Sequence, residues 1–300
     1  MSLTTWSAAQ SLEDTGPDLG VFCRRVECSK NSRVSLNRPW TIVGAMEQIY
    51  SGDVEGVRWS GHRAAFADFS DEQVASVVER IYDLATADAL EEELRALAQT
   101  DAQVGFIESV LSSTPEPLPW QIGESLAESL LAFGHGAVWP WNGARDLRTP
   151  RASLPGADLV GFSIEIDDAV FLFGEVKTSS DIAAPPGVMS GRSGMVHQLE
   201  SLDSRVDIQF ALINWLRARC LGTEHDAHFQ AALARYVASQ GREVSLVGCL
   251  MRDTEPDSLD LQNRATALSQ ALVSPGVARL FAWYFDKRCI EWPNWASASR

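Results

Sequence analysis

Two β-rich segments in the middle of the chain, joined by an acidic pair, constrain the fold more than any other feature. Residues 158–166 read Asp-Leu-Val-Gly-Phe-Ser-Ile-Glu-Ile, and residues 169–177 read Ala-Val-Phe-Leu-Phe-Gly-Glu-Val-Lys. Both segments are rich in β-branched and aromatic residues, which favour strands. With Asp167 and Asp168 as a two-residue turn, the spacing predicts a β-hairpin.

The predicted register places three charged residues at the open end of this hairpin. Counted from the turn, Asp158 lies opposite Lys177, and Val160 lies opposite Glu175. Because side chains alternate between the two faces of a strand, the three charged side chains share one face. Charged groups at the rim of an apolar face are costly to desolvate unless something pairs with them, and a divalent metal ion would do so. The apolar residues of that face are Val160, Phe162, Ile164, Ile166, Ala169, Phe171 and Phe173.

The same residues carry a resemblance to a known family. Gly156-Ala-Asp158, then a strand, then Gly174-Glu175-Val-Lys177 resembles the motif of the PD-(D/E)xK nuclease superfamily. The resemblance implies an α/β restriction-endonuclease-like core, with a mixed central sheet flanked by helices. It also implies that Asp158 and Glu175 bind Mg²⁺ or Mn²⁺ and that Lys177 positions or polarises the attacking water. Pro155 precedes Gly156 instead of the Asp, which departs from the family pattern.

A helix predicted from Trp120 to Phe133 offers a third metal ligand. It contains Glu124 and Glu128, four residues apart and therefore on neighbouring faces. Gly123-Glu124-Ser-Leu resembles the start of the helix that supplies a further carboxylate in many members of the superfamily, so Glu124 is preferred over Glu128. The alternative is that both are ordinary solvated helix carboxylates.

Gln198 is the last candidate site residue. It lies in the first turn of a helix predicted over residues 195–219. In one branch of the superfamily a Gln on the helix after the E-x-K strand lies next to the site, and Gln198 matches it by order. The Tyr that usually follows is absent, and Leu202 takes its place.

The Pro-rich segment 112–119 is the best internal boundary. The N-terminal region, residues 1–115, is predicted to be irregular up to residue 70 and helical from about 70 to 111, with Ser70 or Asp71 as the cap. That helical region either packs on the nuclease-like domain or binds a partner. In residues 116–300 the order helix, hairpin, helix, helix, strand, helix, strand predicts an α/β domain with a mixed sheet. The last of these segments, residues 277–285, reads as a strand or a helix.

The net charge of −15 is unusual for a protein that binds nucleic acid unaided. Local clusters of Arg offer one solution, either Arg145, Arg148 and Arg151 or the basic stretch 22–34. A partner that holds the DNA offers the other. The order of the motifs is also similar to the nuclease subunit of the bacterial Hachiman anti-phage system. That resemblance implies a helicase partner and a role in antiviral defence.

The remaining sequence features indicate the cellular compartment. Five scattered Cys form no disulfide framework and fit a reducing environment. The first residues have neither the basic nor the apolar region of a signal peptide, and no run approaches the ~20 apolar residues of a membrane span. The expectation is a cytoplasmic protein without membrane contact.

Three hypotheses follow for function. The first is a metal-dependent endonuclease acting on DNA. The second is a nuclease-fold protein that binds nucleic acid or a protein without cutting. The third is an ordinary surface Glu–Lys pair in an unrelated α/β protein, which a separation above about 10 Å between Asp158 and Glu175 would favour, since neighbours in a hairpin lie closer.

Overall fold

A seven-stranded mixed sheet organises the chain. The computed structural model describes residues 46–113, 116–146, 156–165, 168–274 and 277–300. Within these ranges the strand order is β1-β2-β7-β6-β5-β4-β3. The strands are β1 (Glu47–Val54), β2 (Val57–Ala64), β3 (Ala137–Val138), β4 (Leu159–Glu165), β5 (Asp168–Ser179), β6 (Val244–Arg252) and β7 (Ala278–Phe285). The four central strands β2, β7, β6 and β5 run parallel to one another, whereas β1 pairs with β2, and β4 with β5, in the antiparallel direction.

Helices cover both faces of the sheet. They are α1 (Asp71–Tyr82), α2 (Leu84–Leu97), α3 (Asp101–Leu111), α4 (Pro119–His135), α5 (Gly143–Asp146), α6 (Met195–Ser204), α7 (Val206–Cys220), α8 (Asp226–Ala238), α9 (Leu259–Ala271) and α10 (Trp292–Ala298). One core lies between the sheet and helices α6 to α9, and the other between the sheet and helices α1, α4 and α10. The predicted α/β class with a mixed sheet flanked by helices is confirmed.

The β4–β5 hairpin forms, but its register is shifted by two residues from the predicted one. Phe162 pairs with Phe171, where the prediction paired it with Phe173. The last pair joins Glu165 to Asp168, so Asp168 belongs to the strand and the predicted turn was wrong. A shift of two residues keeps every side chain on its predicted face, because the faces alternate with a period of two. Val160, Phe162, Ala169, Phe171 and Phe173 accordingly lie together in the core beneath α6 to α9.

A β-hairpin replaces the irregular structure predicted before residue 70. Strands β1 and β2 are joined at Glu55 and Gly56, whose φ angles of 48° and 92° suit a tight two-residue hairpin turn. Strand β2 then pairs in parallel with β7. The sheet therefore continues across the Pro-rich segment, and side chains from residues 64–77 share a core with those of α4, β5 and β7.

The helical region predicted from residue 70 to 111 consists of three helices. Of the two predicted caps, Ser70 and Asp71, it is Ser70 that caps α1, since its hydroxyl accepts the Gln73 N–H at 3.3 Å. Asp83, in the left-handed conformation with φ 46° and ψ 56°, ends α1. Helix α1 packs against α4, whereas α2 buries no residue and α3 buries only Ile107. The helices α2 and α3 are thus held mainly by each other and by the end of α1.

The single helix predicted over residues 195–219 is broken. Arg205 has extended backbone angles and separates α6 from α7. The buried side chain of Gln209 donates hydrogen bonds to the carbonyl groups of Leu202 at 2.8 Å and Asp203 at 3.2 Å. These bonds satisfy carbonyl groups at the end of α6, which explains why the break is tolerated inside the fold. The ambiguous segment 277–285 forms strand β7 from Ala278 onward.

Candidate active site

Helix α4 approaches strand β5 very closely at Gly123. A Cβ atom at this position would lie 2.1 Å from Thr178 Oγ1, so only glycine permits the observed contact without movement. The next residue, Glu124, is half-buried. The close approach fixes the first half of α4 against the part of β5 that follows Lys177.

The open end of the hairpin brings Asp158 and Glu175 together. Leu159 and Gly174 form the last paired position of the ladder, so Asp158 and Glu175 come next. This differs from the prediction, which placed Asp158 opposite Lys177. The Asp158 carboxylate accepts the Val176 N–H at 2.9 Å, and the Asp158 N–H donates to the Gly174 carbonyl at 3.0 Å. Both bonds fix the carboxylate at the end of the strand.

Asp158 and Glu175 occupy the next opposed positions after the last pair of the ladder, so they lie closer than the ~10 Å that a pair of unrelated surface residues would show. Glu175 is only 4% exposed. It forms an ion pair with Lys177, whose side chain is also mostly buried. The arrangement is a buried charged cluster and not a surface pair.

Burial and mutual repulsion raise the pKa values of the carboxyl groups at this site. Burial raises the pKa of Glu175 to about 7, and the Asp158 carboxylate adds to the rise while Lys177 opposes it. Burial likewise raises the pKa of Asp158, against the Val176 N–H and Lys177. The pKa of Glu124 is raised well above its usual value by burial and then by the Asp158 charge. Glu124, Asp158, Glu175 and Lys177 are therefore one electrostatic unit, called here the carboxylate site.

Glu128, the other helix carboxylate, has a different environment. It is buried and forms an ion pair with Arg80 of α1 at 2.6 Å. Its backbone carbonyl accepts the indole N–H of Trp139 at 2.9 Å. These contacts tie α4 to α1 and to the segment after β3, so Glu128 serves the packing of the helix. The Asp158 charge contributes to the raised pKa of Glu124, whereas the charge that acts on Glu128 is that of Arg80.

Helix α6 covers the sheet next to Glu175. Gly248 of β6 pairs with Glu175, and a Cβ atom on Gly248 would meet Met195 and Leu199 of α6. Gln198 lies between these two helix residues and is half-buried. The structure shows no hydrogen bond from the Gln198 side chain among the described residues, so its role at the site stays a prediction.

The arginines expected to contact phosphate are only partly described. Arg145 of α5 lies 3.7 Å from Asp83 and 3.4 Å from Asp146 in ion pairs. Arg148, Arg151 and the basic stretch 22–34 lie outside the described residues. The ion pairs of Arg145 reduce the positive charge that it can offer to a phosphate group.

A buried ion pair that the sequence did not reveal supports the segment after β5. Arg252 and Asp260 are 1% and 0% exposed and pair with each other. Arg252 also donates to the backbone carbonyl groups of Asp181 and Ala183. The pair therefore holds the chain that leaves the strand of Glu175 and Lys177. No local sequence pattern indicates this ion pair, because Arg252 comes at the end of a largely apolar strand.

The chemical types in the carboxylate site suit a divalent metal ion, because carboxylate oxygens are the ligands that Mg²⁺ and Mn²⁺ favour. In the described arrangement, Lys177 pairs with Glu175 and the Val176 N–H binds Asp158. Within the described ranges no group of three or more His, Cys, Asp or Glu side chains is already placed to hold a metal ion. Glu124, Asp158 and Glu175 would have to reorient to do so together.

No protein-family model matches the chain, and no curated protein matches it. Among the described residues, no helix is both long enough and apolar enough to cross a membrane.

Proposed function

We propose that the chain is a metal-dependent nuclease that hydrolyses phosphodiester bonds of DNA. The observation that carries the proposal is the carboxylate site, in which the Asp158 and Glu175 carboxyl groups are adjacent and largely buried, and Lys177 forms an ion pair with Glu175. Bringing like charges together away from water costs free energy, and such perturbed groups cluster at functional sites. The resemblance to the PD-(D/E)xK motif rests on the same residues.

Each residue of the site is proposed to have a separate role. Asp158, Glu175 and Glu124 would hold a Mg²⁺ or Mn²⁺ ion, which when bound activates water and stabilises charge on the phosphate. Asp158 is oriented for this by the Val176 N–H. Lys177 contributes a positive charge that orients the attacking water and stabilises the negative charge developing on the phosphate. Gln198 is proposed to lie at the edge of the site and to assist in positioning.

A protein partner is part of the proposal. The net charge of −15 repels DNA at long range, and Arg145 is already engaged by two Asp side chains. A helicase partner that holds the DNA would remove this difficulty, in line with the resemblance to the Hachiman nuclease subunit. We therefore propose cytoplasmic anti-phage defence as the setting.

The second candidate is a nuclease-fold protein that binds nucleic acid or a protein without cutting it. It is favoured by the arrangement of the side chains in the carboxylate site, where Lys177 forms an ion pair with Glu175. Within the described residues, no group of three or more His, Cys, Asp or Glu side chains is placed to hold a metal ion. In that case the carboxylate site would be a buried polar cluster without turnover.

Cleavage assays separate the two candidates. Purified protein is incubated with plasmid DNA, single-stranded DNA and RNA, each with Mg²⁺, Mn²⁺ or EDTA, alone and with any copurifying helicase. The nuclease proposal expects cleavage of DNA that requires metal and stops with EDTA. If the folded protein cleaves none of these substrates under any of these conditions, the result would favour the non-cleaving candidate.

A further inference from the structure

Helix α7 carries large apolar side chains on both of its faces. The inner face buries Leu212 and Leu216 in the core between the sheet and helices α6 to α9. On the outer face, Val206 and Phe210 are 63% and 68% exposed, and Leu221 at the end of the helix is 62% exposed. A surface helix usually turns a polar face to water, and contiguous exposed apolar groups mark interaction sites. The outer face of α7 is therefore a candidate interface.

Helix α8 extends this surface. Helices α7 and α8 pack against each other on the same side of the sheet, so their outer faces adjoin. On α7, Asp207 and Arg217 are the only exposed residues that carry a charge. The exposed residues of α8 are all uncharged, namely Ala227, Gln230, Ala234, Val237 and Ala238. The centres of protein interfaces are likewise depleted in charged residues. The outer surface of the two helices is called here the α7–α8 face.

Two further arginines of these helices are engaged within the chain. Arg219 pairs with Asp146 at 3.2 Å, and Arg235 pairs with Asp168 at 3.3 Å and Glu243 at 3.0 Å. The α7–α8 face is thus close to neutral, although the chain has a net charge of −15. Two copies of so acidic a protein repel each other at long range, and a neutral face is where that repulsion opposes contact least.

The outer face of α7 is complementary to itself in an antiparallel arrangement. If the α7 helices of two copies cross about a two-fold axis at Asn214, Phe210 of each copy lies opposite Ala218 of the other, since both are four residues from the axis. A large side chain then packs against a small one. Asn214 meets Asn214, and a single Asn in such a seam fixes the register of paired helices. Arg217 comes within about one helical turn of Asp207 of the other copy.

We propose that the α7–α8 face is the interface of a symmetric homodimer in which the two α7 helices cross antiparallel. Such a contact is self-complementary, so each match between two residues occurs twice. Asp207 already pairs with Arg205, but both side chains are more than half exposed. That ion pair is therefore weak, and Asp207 can also accept Arg217 of the other copy. The proposal goes beyond the nuclease activity and is independent of cleavage at the carboxylate site.

The first test is sedimentation of the full chain at about 1 to 100 μM. We expect a particle of twice the monomer mass, with Kd below about 10 μM. Phe210→Glu places a charge in the apolar contact and should weaken dimerisation at least about thirtyfold. Leu97→Glu is the matched control, because Leu97 is 73% exposed on α2, outside the α7–α8 face. It should dimerise like the parent, and circular dichroism verifies that both variants fold.

Charge reversal tests the antiparallel arrangement. Asp207→Arg and Arg217→Asp each oppose like charges twice in the dimer, so each should weaken dimerisation about tenfold. The variant with both changes restores opposite charges and should return to within about threefold of the parent. A double variant that dimerises no better than the single variants would overturn the antiparallel arrangement.

Disulfide cross-linking tests the position of the axis. Asn214→Cys places two thiols beside each other at the axis, so mild oxidation should give a covalent dimer. Asn294→Cys, also at an exposed helical position, is the control and should cross-link no faster than the parent. The proposal is overturned if the parent stays monomeric at about 100 μM. It is also overturned if folded Phe210→Glu dimerises like the parent, or if Asn214→Cys cross-links no faster than Asn294→Cys.

Discussion

The Val176 N–H donates to the Asp158 carboxylate at 2.9 Å, and this bond holds Asp158 beside Glu175. Asp158→Asn keeps an oxygen that can accept the bond but removes the charge. We therefore expect the melting temperature of the metal-free variant to equal or exceed that of the parent, because Glu175 loses a neighbouring negative charge. DNA cleavage should fall at least about a hundredfold, as for the loss of a major electrostatic group. Thermal melting tests the expected stability, and plasmid cleavage tests the expected loss of activity. A variant that cuts at the parental rate would contradict the assignment of Asp158 as a metal ligand.

The raised pKa of Glu175 makes stability depend on pH. A carboxyl group with a folded pKa of about 7, above its unfolded value near 4.5, contributes stability that is fully present below pH 4.5 and is lost as the pH rises through 7. The expected loss between pH 5 and 8 is about 2 kcal/mol in metal-free buffer. Glu175→Gln should remove this part of the pH dependence.

The measurement is urea unfolding of the parent and Glu175→Gln at pH 5, 6, 7 and 8 with EDTA. Glu255→Gln is the control, because the Glu255 side chain is 95% exposed. Parallel pH profiles for the parent and Glu175→Gln would show that the Glu175 carboxyl is not perturbed as described.

Glu124 and Glu128 form a matched pair on one helix. Glu128→Gln breaks the buried ion pair with Arg80 and should lower the free energy of unfolding by about 3 kcal/mol, while the folded variant still cuts DNA. Glu124→Gln relieves repulsion by Asp158 and should leave stability unchanged or higher, while cleavage is lost. Urea unfolding and cleavage assays on both variants distinguish these roles. An exchange of the two phenotypes would assign the ligand to Glu128.

The close contact between α4 and β5 predicts that a second substitution can restore stability lost by the first. Gly123→Ala places a Cβ atom against Thr178 Oγ1 and should cost about 1–3 kcal/mol, although alanine favours the helix. Thr178→Ala removes the opposing atom, so the double variant should recover most of that stability. A double-mutant cycle by urea unfolding measures the coupling, and strictly additive effects would refute the contact.

The local chemistry of the site could be predicted because it resides in two adjacent strands. Alternation along those strands keeps Asp158, Glu175 and Lys177 on one face for any register shift of an even number of residues. The register itself was predicted wrongly, because Asp167-Asp168 looked like the turn and the ladder instead includes Asp168. The slip of two residues preserved the faces, and it exchanged Lys177 for Glu175 as the neighbour of Asp158.

Features assembled from distant segments could not be predicted in this way. Strand β1 lies at the edge of the sheet and is mostly exposed, so it lacks the apolar alternation that indicates a strand. The parallel pairing of β2 with β7 joins segments far apart in the chain, which no local pattern shows. Each of these features depends on tertiary packing.

The most direct test of the proposed nuclease compares two lysine variants. Lys177→Ala removes the ammonium group that pairs with Glu175, whereas Lys287→Ala removes one from an exposed position outside the carboxylate site. Supercoiled plasmid is incubated with Mg²⁺ and each folded protein, with the copurifying helicase present if the parent requires it, and nicked and linear products are measured over time. We predict that the parent and Lys287→Ala cut at similar rates and that Lys177→Ala is at least about a hundredfold slower. Equal cleavage by Lys177→Ala and Lys287→Ala would contradict the proposal that this site is catalytic.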